Sequence, residues 1–329
     1  MIKYYAAGGL RIDYLITAER QVHLRQLGGN AVYAAVGARI WSPDVGILAR
    51  VGEDYPPDLL RLLEESGLST AGVRNVSGPH DMRTFYRYLD RDTRLDNEPA
   101  RHFAELGLPL PEDLRDYVDS TPGQDLEQML PLSIRPEDVP AEYGRALAMH
   151  IAPQGWSTQL ALARELTARG LTVTLDPGEK YIKSPLARRL GELLAGVRAF
   201  LPSEQEVESL TGGLDLWAAA EQFAALGVPI VVVKAGSKGA LLYLREDGSR
   251  WHIPAFPVQV IDVTGAGDAF CGGFMVGFQE TGDPVQACAY GAVSASFVLE
   301  GYGALYALRA TRAQAERRLG WLLSSVERL

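Results

Sequence analysis

Six short runs in this 329-residue chain are almost wholly apolar: "IKYYAAG" (2–8), "VGILARV" (45–51), "ALAMHIA" (146–152), "TVTLD" (172–176), "VRAFL" (197–201) and "PIVVVKA" (229–235). A strand that is apolar at nearly every position is buried on both faces, and sheets of such strands are mainly parallel and covered by helices. Longer amphipathic stretches intervene, such as "YPPDLLRLLEESG" and "STQLALARELTARG". In the second, Ser157 is placed to cap the start and Gly170 to stop the end. The expected fold is α/β, a three-layer αβα sandwich around a mainly parallel central sheet. With 47% hydrophobic residues the chain can fill one large core. Length alone allows two units, one large domain with an appendage fits equally well, and 1–329 is read as a single domain.

Two stretches break the rhythm. Residues 10–26 and 82–95 alternate apolar and polar side chains as half-exposed antiparallel strands do, and are expected to form a small β lid apart from the main sheet. Residues 96–143 hold seven of the 19 prolines (Pro99, Pro109, Pro111, Pro122, Pro131, Pro136, Pro140) and form an insert without a legible fold. The net charge of -9 and the lack of a basic stripe disfavour nucleic acid and anionic membranes as partners. No run approaches the ~18 apolar residues of a membrane span and none resembles a leader, so a cytoplasmic location is expected. Cys271 and Cys288 read as small buried hydrophobes, and the five scattered histidines lack metal-ligand spacing. No tightly held transition metal is expected.

The segment "IDVTGAGDAFCGGFM" (261–275) carries the chemistry. "FPVQVIDV" before it reads as a strand or extended run, and Phe270, Phe274 and Phe278 after it recur at helical spacing. Thr264-Gly265-Ala266-Gly267 then opens a helix, whose first N–H groups lack internal partners, and small residues let a phosphate approach them. Asp268 has two readings on these grounds: a base taking the proton of a hydroxyl that attacks a held phosphoryl group, or an acid complementing the helix dipole.

"DVTGAGDAFCGGFM" resembles the C-terminal signature of the ribokinase-like (PfkB-type) carbohydrate kinases, at Asp262, Gly265, Ala266, Gly267, Asp268, Gly272 and Gly273. The resemblance implies that Asp268 is the catalytic base and that Gly265, Ala266 and Gly267 form the anion hole. It implies a monovalent-cation site beside Asp262, where a strand-end acid capping a turn is the alternative. "LGGNAVYAAVGARIW" is similar to the family's Gly-Gly-Asn segment and implies that Gly28, Gly29 and Asn30 line the acceptor pocket; Asn30 as a helix cap would give the same letters. The order of motifs agrees, with a turn at Gly52, Glu53 and Asp54 following. Asp13 stands where the family grips two sugar hydroxyls, a task suited to a carboxylate, with a lone solvated aspartate as the alternative.

"FLPSEQEVESLTGG" is similar to the family's Asn-x-x-Glu stretch, implying that Glu206 holds Mg2+ through water. Ser203 replaces the asparagine, and Ser203-x-x-Glu206 is also a capping box. "VVVKAGSKGALLY" resembles the segment beside the nucleotide, with Lys234, Gly236 and Gly239 matched and Lys238 read as a solvated turn residue; Gly303 and Ala304 of "EGYGAL" are placed by the same likeness. The family implies ATP and Mg2+, with K+ as a further cofactor. The expected activity is transfer of phosphate to a hydroxymethyl group of a small sugar or sugar-like acceptor. A nucleoside kinase of the same family is the alternative, then a non-catalytic sensor, although Asp268 is present. A dehydrogenase is disfavoured because Gly265-Ala266-Gly267 lacks the third glycine of G-x-G-x-x-G and stands near the chain's end. The exposed edges of the lid suggest a homodimer.

Overall fold

All six apolar runs form strands, and each alternates its side chains between two helical layers. A computed structural model describes residues 1–89, 94–118 and 127–329. The strands in chain order are β1 Tyr4–Ala7, β2 Arg11–Ile16, β3 Val22–Gly28, β4 Val45–Gly52, β5 Ser69–Val76, β6 Arg83–Tyr88 and β7 Arg94–Leu95. They continue with β8 Ala148–Ile151, β9 Thr172–Leu175, β10 Ala199–Phe200, β11 Ile230–Lys234, β12 Ala240–Leu244, β13 Arg250–Ile253 and β14 Glu327–Arg328. The large sheet has the order β14-β13-β12-β11-β10-β9-β8-β1-β4-β5. Its pairs are parallel from β5 across to β11, and β12, β13 and β14 add an antiparallel flank.

In β1, Tyr4 and Ala6 pack with the helices Asn30–Arg39, Ala266–Thr281 and Pro284–Val298, whereas Tyr5 and Ala7 pack with Trp156–Ala168 and Leu216–Ala225 on the other face. The period of two within one short strand is thus what separates the layers.

β2, β3, β6 and β7 form a separate four-stranded sheet in the order β3-β2-β6-β7, from the two stretches that alternate in the sequence. Its central pair β2–β6 is parallel, so it is not the all-antiparallel flap that the alternation suggests. Residues 90–93 of the second stretch, and 119–126 of the insert with Pro122, lie outside the described residues. The described insert contributes one helix, Pro99–Glu105, and short 3-10 turns, and packs against both sheets. Tyr14 donates to Asp113 (2.8 Å), and Arg50 of β4 grips Asp138 through Nε (2.7 Å) and Nη2 (2.9 Å).

Two local expectations are corrected and a third is narrowed. The helix Trp156–Ala168 is capped by Gly155, and Ser157 falls one position inside it, because the buried Trp156 already takes helical backbone. Gly170 does stop it, with φ +82°. Residues 256–263 form no strand, which leaves the unpaired of the two readings for that run. Asn30 is the first residue of its helix, and the cap is Gly29 at φ 102°.

The glycines within Ala266–Thr281 are explained by packing. A Cβ at Gly272 would sit 1.8 Å from the Ala34 carbonyl oxygen, and one at Gly37 would sit 2.1 Å from that of Ala269. The two helices interlock backbone to backbone. Gly273 and Gly277 give the same close approach to Ser294 and Tyr290 of the next helix.

Candidate active site

The site is assembled at the carboxyl ends of the parallel strands, where loops of an α/β sheet collect ligands. At the end of β1, the Gly9 N–H donates to Asn30 Oδ1 (2.8 Å), and Asn30 Nδ2 donates to the Pro153 carbonyl beyond β8 (2.6 Å). Asn30 therefore joins two strand ends while facing the cavity. Asp13, on β2, is buried to 3% exposure and lies against Gly28, where a Cβ would fall 1.8 Å from Oδ2. Only glycine at 28 leaves that carboxylate its place.

The loop 262–268 closes the opposite side. Gly265 caps the helix with φ 73°, in the left-handed region, and the Tyr33 ring lies so close that a Cβ would be 2.0 Å from it. Conformation and contact both require glycine there. The Ala266 N–H bonds the Val263 carbonyl (3.3 Å), whereas the Gly267 N–H has no partner among the described residues and is exposed. Asp262 Oδ1 accepts from Thr264 N (2.9 Å) and Oγ1 (2.7 Å), which is the turn-capping arrangement, and Oδ2 accepts no bond among the described residues. Thr264 Oγ1 also bonds the Tyr88 hydroxyl of β6, so the small sheet touches the loop 262–268 directly. Burial first, then Asp13 and Asp262, push the Tyr33 phenol well above its ordinary value, keeping it a neutral hydroxyl between the two carboxylates.

Behind the loop lies a buried polar cluster. Lys234 at the end of β11 pairs with Asp176 and approaches Cys271 Sγ (3.6 Å). Burial alone would lower the Lys234 ammonium, but Asp176, Cys271 and Glu206 outweigh it and hold the charge firmly. A Cβ on Gly267 would stand 3.6 Å from Lys234 Nζ, so the ammonium lies beneath the first turn of the helix. His150, buried and pushed down to about 3, stays neutral nearby. Glu206 Oε2 accepts from Ser203 N (2.7 Å) and Oγ (2.8 Å), completing the capping box, and Oε1 accepts no bond among the described residues. Gly236 (φ +57°) and Gly239 (φ +89°) shape the turn after β11, where Lys238 pairs with Glu204 (2.9 Å). Gly303 (φ +78°) starts the turn Ala304–Arg309 near Gln26 of β3.

One cavity of about 930 Å³ brings together Asp13, Gly29, Asn30, Gly265 and Asp268 of the residues expected from the sequence. It does not include Gly28, Ala266, Gly267, Lys234, Gly236, Gly239, Glu206, Asp262, Gly303 or Ala304 in its walls. Of these, Gly267, Lys234 and Glu206 gather around the buried cluster, with Gly236 and Gly239 on the turn next to it. Arg11, Tyr33, Thr264 and the insert residues 128 and 130–133 also line the cavity. Tyr33 had a signal in the sequence, three residues after Asn30 and hence on the same helical face. Arg11 and the insert had none.

Comparison with known proteins identifies the family. The model of the pfkB family carbohydrate kinases matches residues 158–311. A cytidine kinase of Thermococcus kodakarensis is 30% identical over 297 residues, covering 88% of this chain and 92% of the relative. The chain belongs to the pfkB family of carbohydrate kinases. It is thus an ATP-dependent kinase of a sugar-like acceptor. Solved structures share the family fold, two among them as follows. The nucleoside kinase of Methanocaldococcus jannaschii has a TM-score of 0.70 at 20% identity, covering 98% of this chain and 99% of its own. A protein described as a ribokinase II from E. coli, solved with ATP and Mg2+, has a TM-score of 0.71 at 19% identity, with 98% and 100% covered.

Proposed function

We propose that this kinase phosphorylates a hydroxymethyl group of a sugar or nucleoside held in the cavity, with Asp268 as the base. The acceptor oxygen attacks the γ-phosphorus and its proton passes to the Asp268 carboxylate. The bond from the γ-phosphorus to the bridging oxygen breaks, and its electron pair leaves with ADP. Gly265, Ala266 and Gly267 offer the helix start as the anion hole, in which oriented N–H groups meet charge developing on the phosphoryl oxygens. Asp13, Gly28, Gly29 and Asn30 hold the acceptor, with Asp13 accepting from hydroxyls. Lys234, Gly236, Gly239, Gly303 and Ala304 flank the nucleotide. The observation that carries this reading is the meeting of Asp13 and Asp268, from opposite ends of the chain, in one cavity.

The free oxygens fit the cations. Glu206 Oε1 suits the water shell of Mg2+, which would neutralise phosphate charge, and Asp262 Oδ2 suits a K+ beside the loop. A nucleoside acceptor is a second reading, favoured by the cavity volume, which exceeds what a free pentose requires. ADP release by the purified protein against a panel of sugars and nucleosides tests both. No ADP above the acceptor-free rate with any of them would sink the reading.

No helix among the described residues is long and apolar enough to cross a membrane, which is consistent with a cytoplasmic enzyme. The edge strand β3, with Leu24 exposed, supports a homodimer built through the small sheet. Light scattering that gives a monomer at every concentration would remove it.

A further inference from the structure

We propose that Arg11 reads an anionic substituent on the acceptor, so that the preferred substrate is a sugar already carrying a phosphate or carboxylate remote from its free hydroxymethyl group. This rests on the kinase reading above and narrows its substrate class.

Arg11 and Asp13 are two residues apart on β2, hence on one face and about 7 Å apart along the strand, and both line the cavity. The other arginines there are committed. Arg50 is held by Asp138, and Arg83 is held by Asp81 through Nε (2.8 Å) and Nη2 (2.6 Å). Lys183 is paired with Glu179 (2.6 Å). The Arg11 guanidinium forms no ion pair or hydrogen bond among the described residues. Its neighbour Asp81 has both oxygens occupied by Arg83. Nor does the side chain simply lean into solvent. Its Nε lies 3.8 Å from where a Cβ on Gly9 would stand, so it runs over the strand end that Asn30 fixes.

A guanidinium offers five donors in a planar fork that matches two oxygens of a phosphate or carboxylate. An acceptor bearing only hydroxyls and placed on Asp13 would leave that fork to water. One with an anion about a pentose's length away would engage both side chains from a single strand, and would be oriented with one end fixed.

The test measures kcat/KM of the full-length enzyme for ribose, ribose 1-phosphate and ribonate, in the native protein and in Arg11→Gln and Arg11→Lys. The native enzyme is expected to prefer an anionic acceptor to ribose by roughly 10- to 100-fold, the worth of charge-assisted hydrogen bonds. That ratio should collapse towards one in Arg11→Gln and recover in part in Arg11→Lys, which restores charge without the fork. The two anionic acceptors separate phosphate from carboxylate as the group recognised. Preference of the native enzyme for ribose, or an equal loss on all three acceptors in Arg11→Gln, overturns the proposal while leaving the kinase reading intact. Calorimetric titration with ribose 1-phosphate keeps the two readings separable if turnover fails. Binding that Arg11→Gln weakens tenfold or more supports the role of Arg11, and absent or unchanged binding ends it.

Discussion

At the scale of single residues, Asp268 and Asp13 make opposite kinetic predictions. Asp268→Asn keeps the shape of the side chain and removes the proton acceptor, so kcat should fall roughly 10²- to 10⁴-fold with the fold intact. Steady-state kinetics beside a thermal melt would check this, and near-native turnover would place the base elsewhere. Asp13→Ala removes one or two charge-assisted hydrogen bonds, each worth about 1.5 to 3 kcal/mol. Acceptor KM should rise about tenfold or more with ATP KM little changed, and equal weakening of both would take Asp13 out of the acceptor site. That both aspartates would face one cavity was legible from their motifs. Arg11 was not, because a charged residue on an alternating strand reads the same whether it faces water or a cavity. Glu206 shows the converse: Ser203-x-x-Glu206 forms its cap in full, so the letters alone could not separate a cap from a cation ligand.

At the scale of elements, the glycine pattern sorts into two kinds. Gly272→Ala would place a methyl group 1.8 Å from a carbonyl oxygen that another helix holds rigidly. Overpacking of this sort typically costs about 1 to 3 kcal/mol and here should reach at least that range, read as a lowered urea midpoint. At Gly267 the nearest atom to an added Cβ is the Lys234 ammonium, 3.6 Å away, so Gly267→Ala should fold normally. Any loss of turnover in that variant would then belong to the site. The apolar strands were legible because burial on both faces leaves an unambiguous composition. The start of Trp156–Ala168 was not, since a serine beside a buried tryptophan resembles a cap in sequence whichever residue takes helical backbone first.

At the scale of the whole molecule, the insert is a wall of the cavity, and Arg50 is its clamp. Both Arg50 and Asp138 are largely buried, and Asp138 also accepts from the Arg135 N–H (2.7 Å). Arg50→Met should leave that carboxylate unpaired, a loss of roughly 3 to 5 kcal/mol felt first by the segment it anchors. Amide exchange should speed up across 127–143 while the central strands stay protected, and acceptor KM should rise. Unchanged protection there would mean that other contacts hold the wall. The insert was opaque in sequence because its order comes from partners on β2, β4 and β6, all distant along the chain, and not from a periodicity of its own.

The interlocked glycines of the helices Asn30–Arg39 and Ala266–Thr281 have a further consequence. One helix begins at Asn30 and the other beside Gly265, both in the cavity wall, and their backbones touch at Gly37 and Gly272 with no side chain between to flex. In the proposed reaction, the spacing between nucleophile and phosphorus would follow this joint, which leaves no room for a side chain. On warming, such an enzyme should not drift into a loosened form that binds but reacts slowly. Its activity should follow a smooth Arrhenius rise and then vanish abruptly, in one cooperative step, when the joint itself melts.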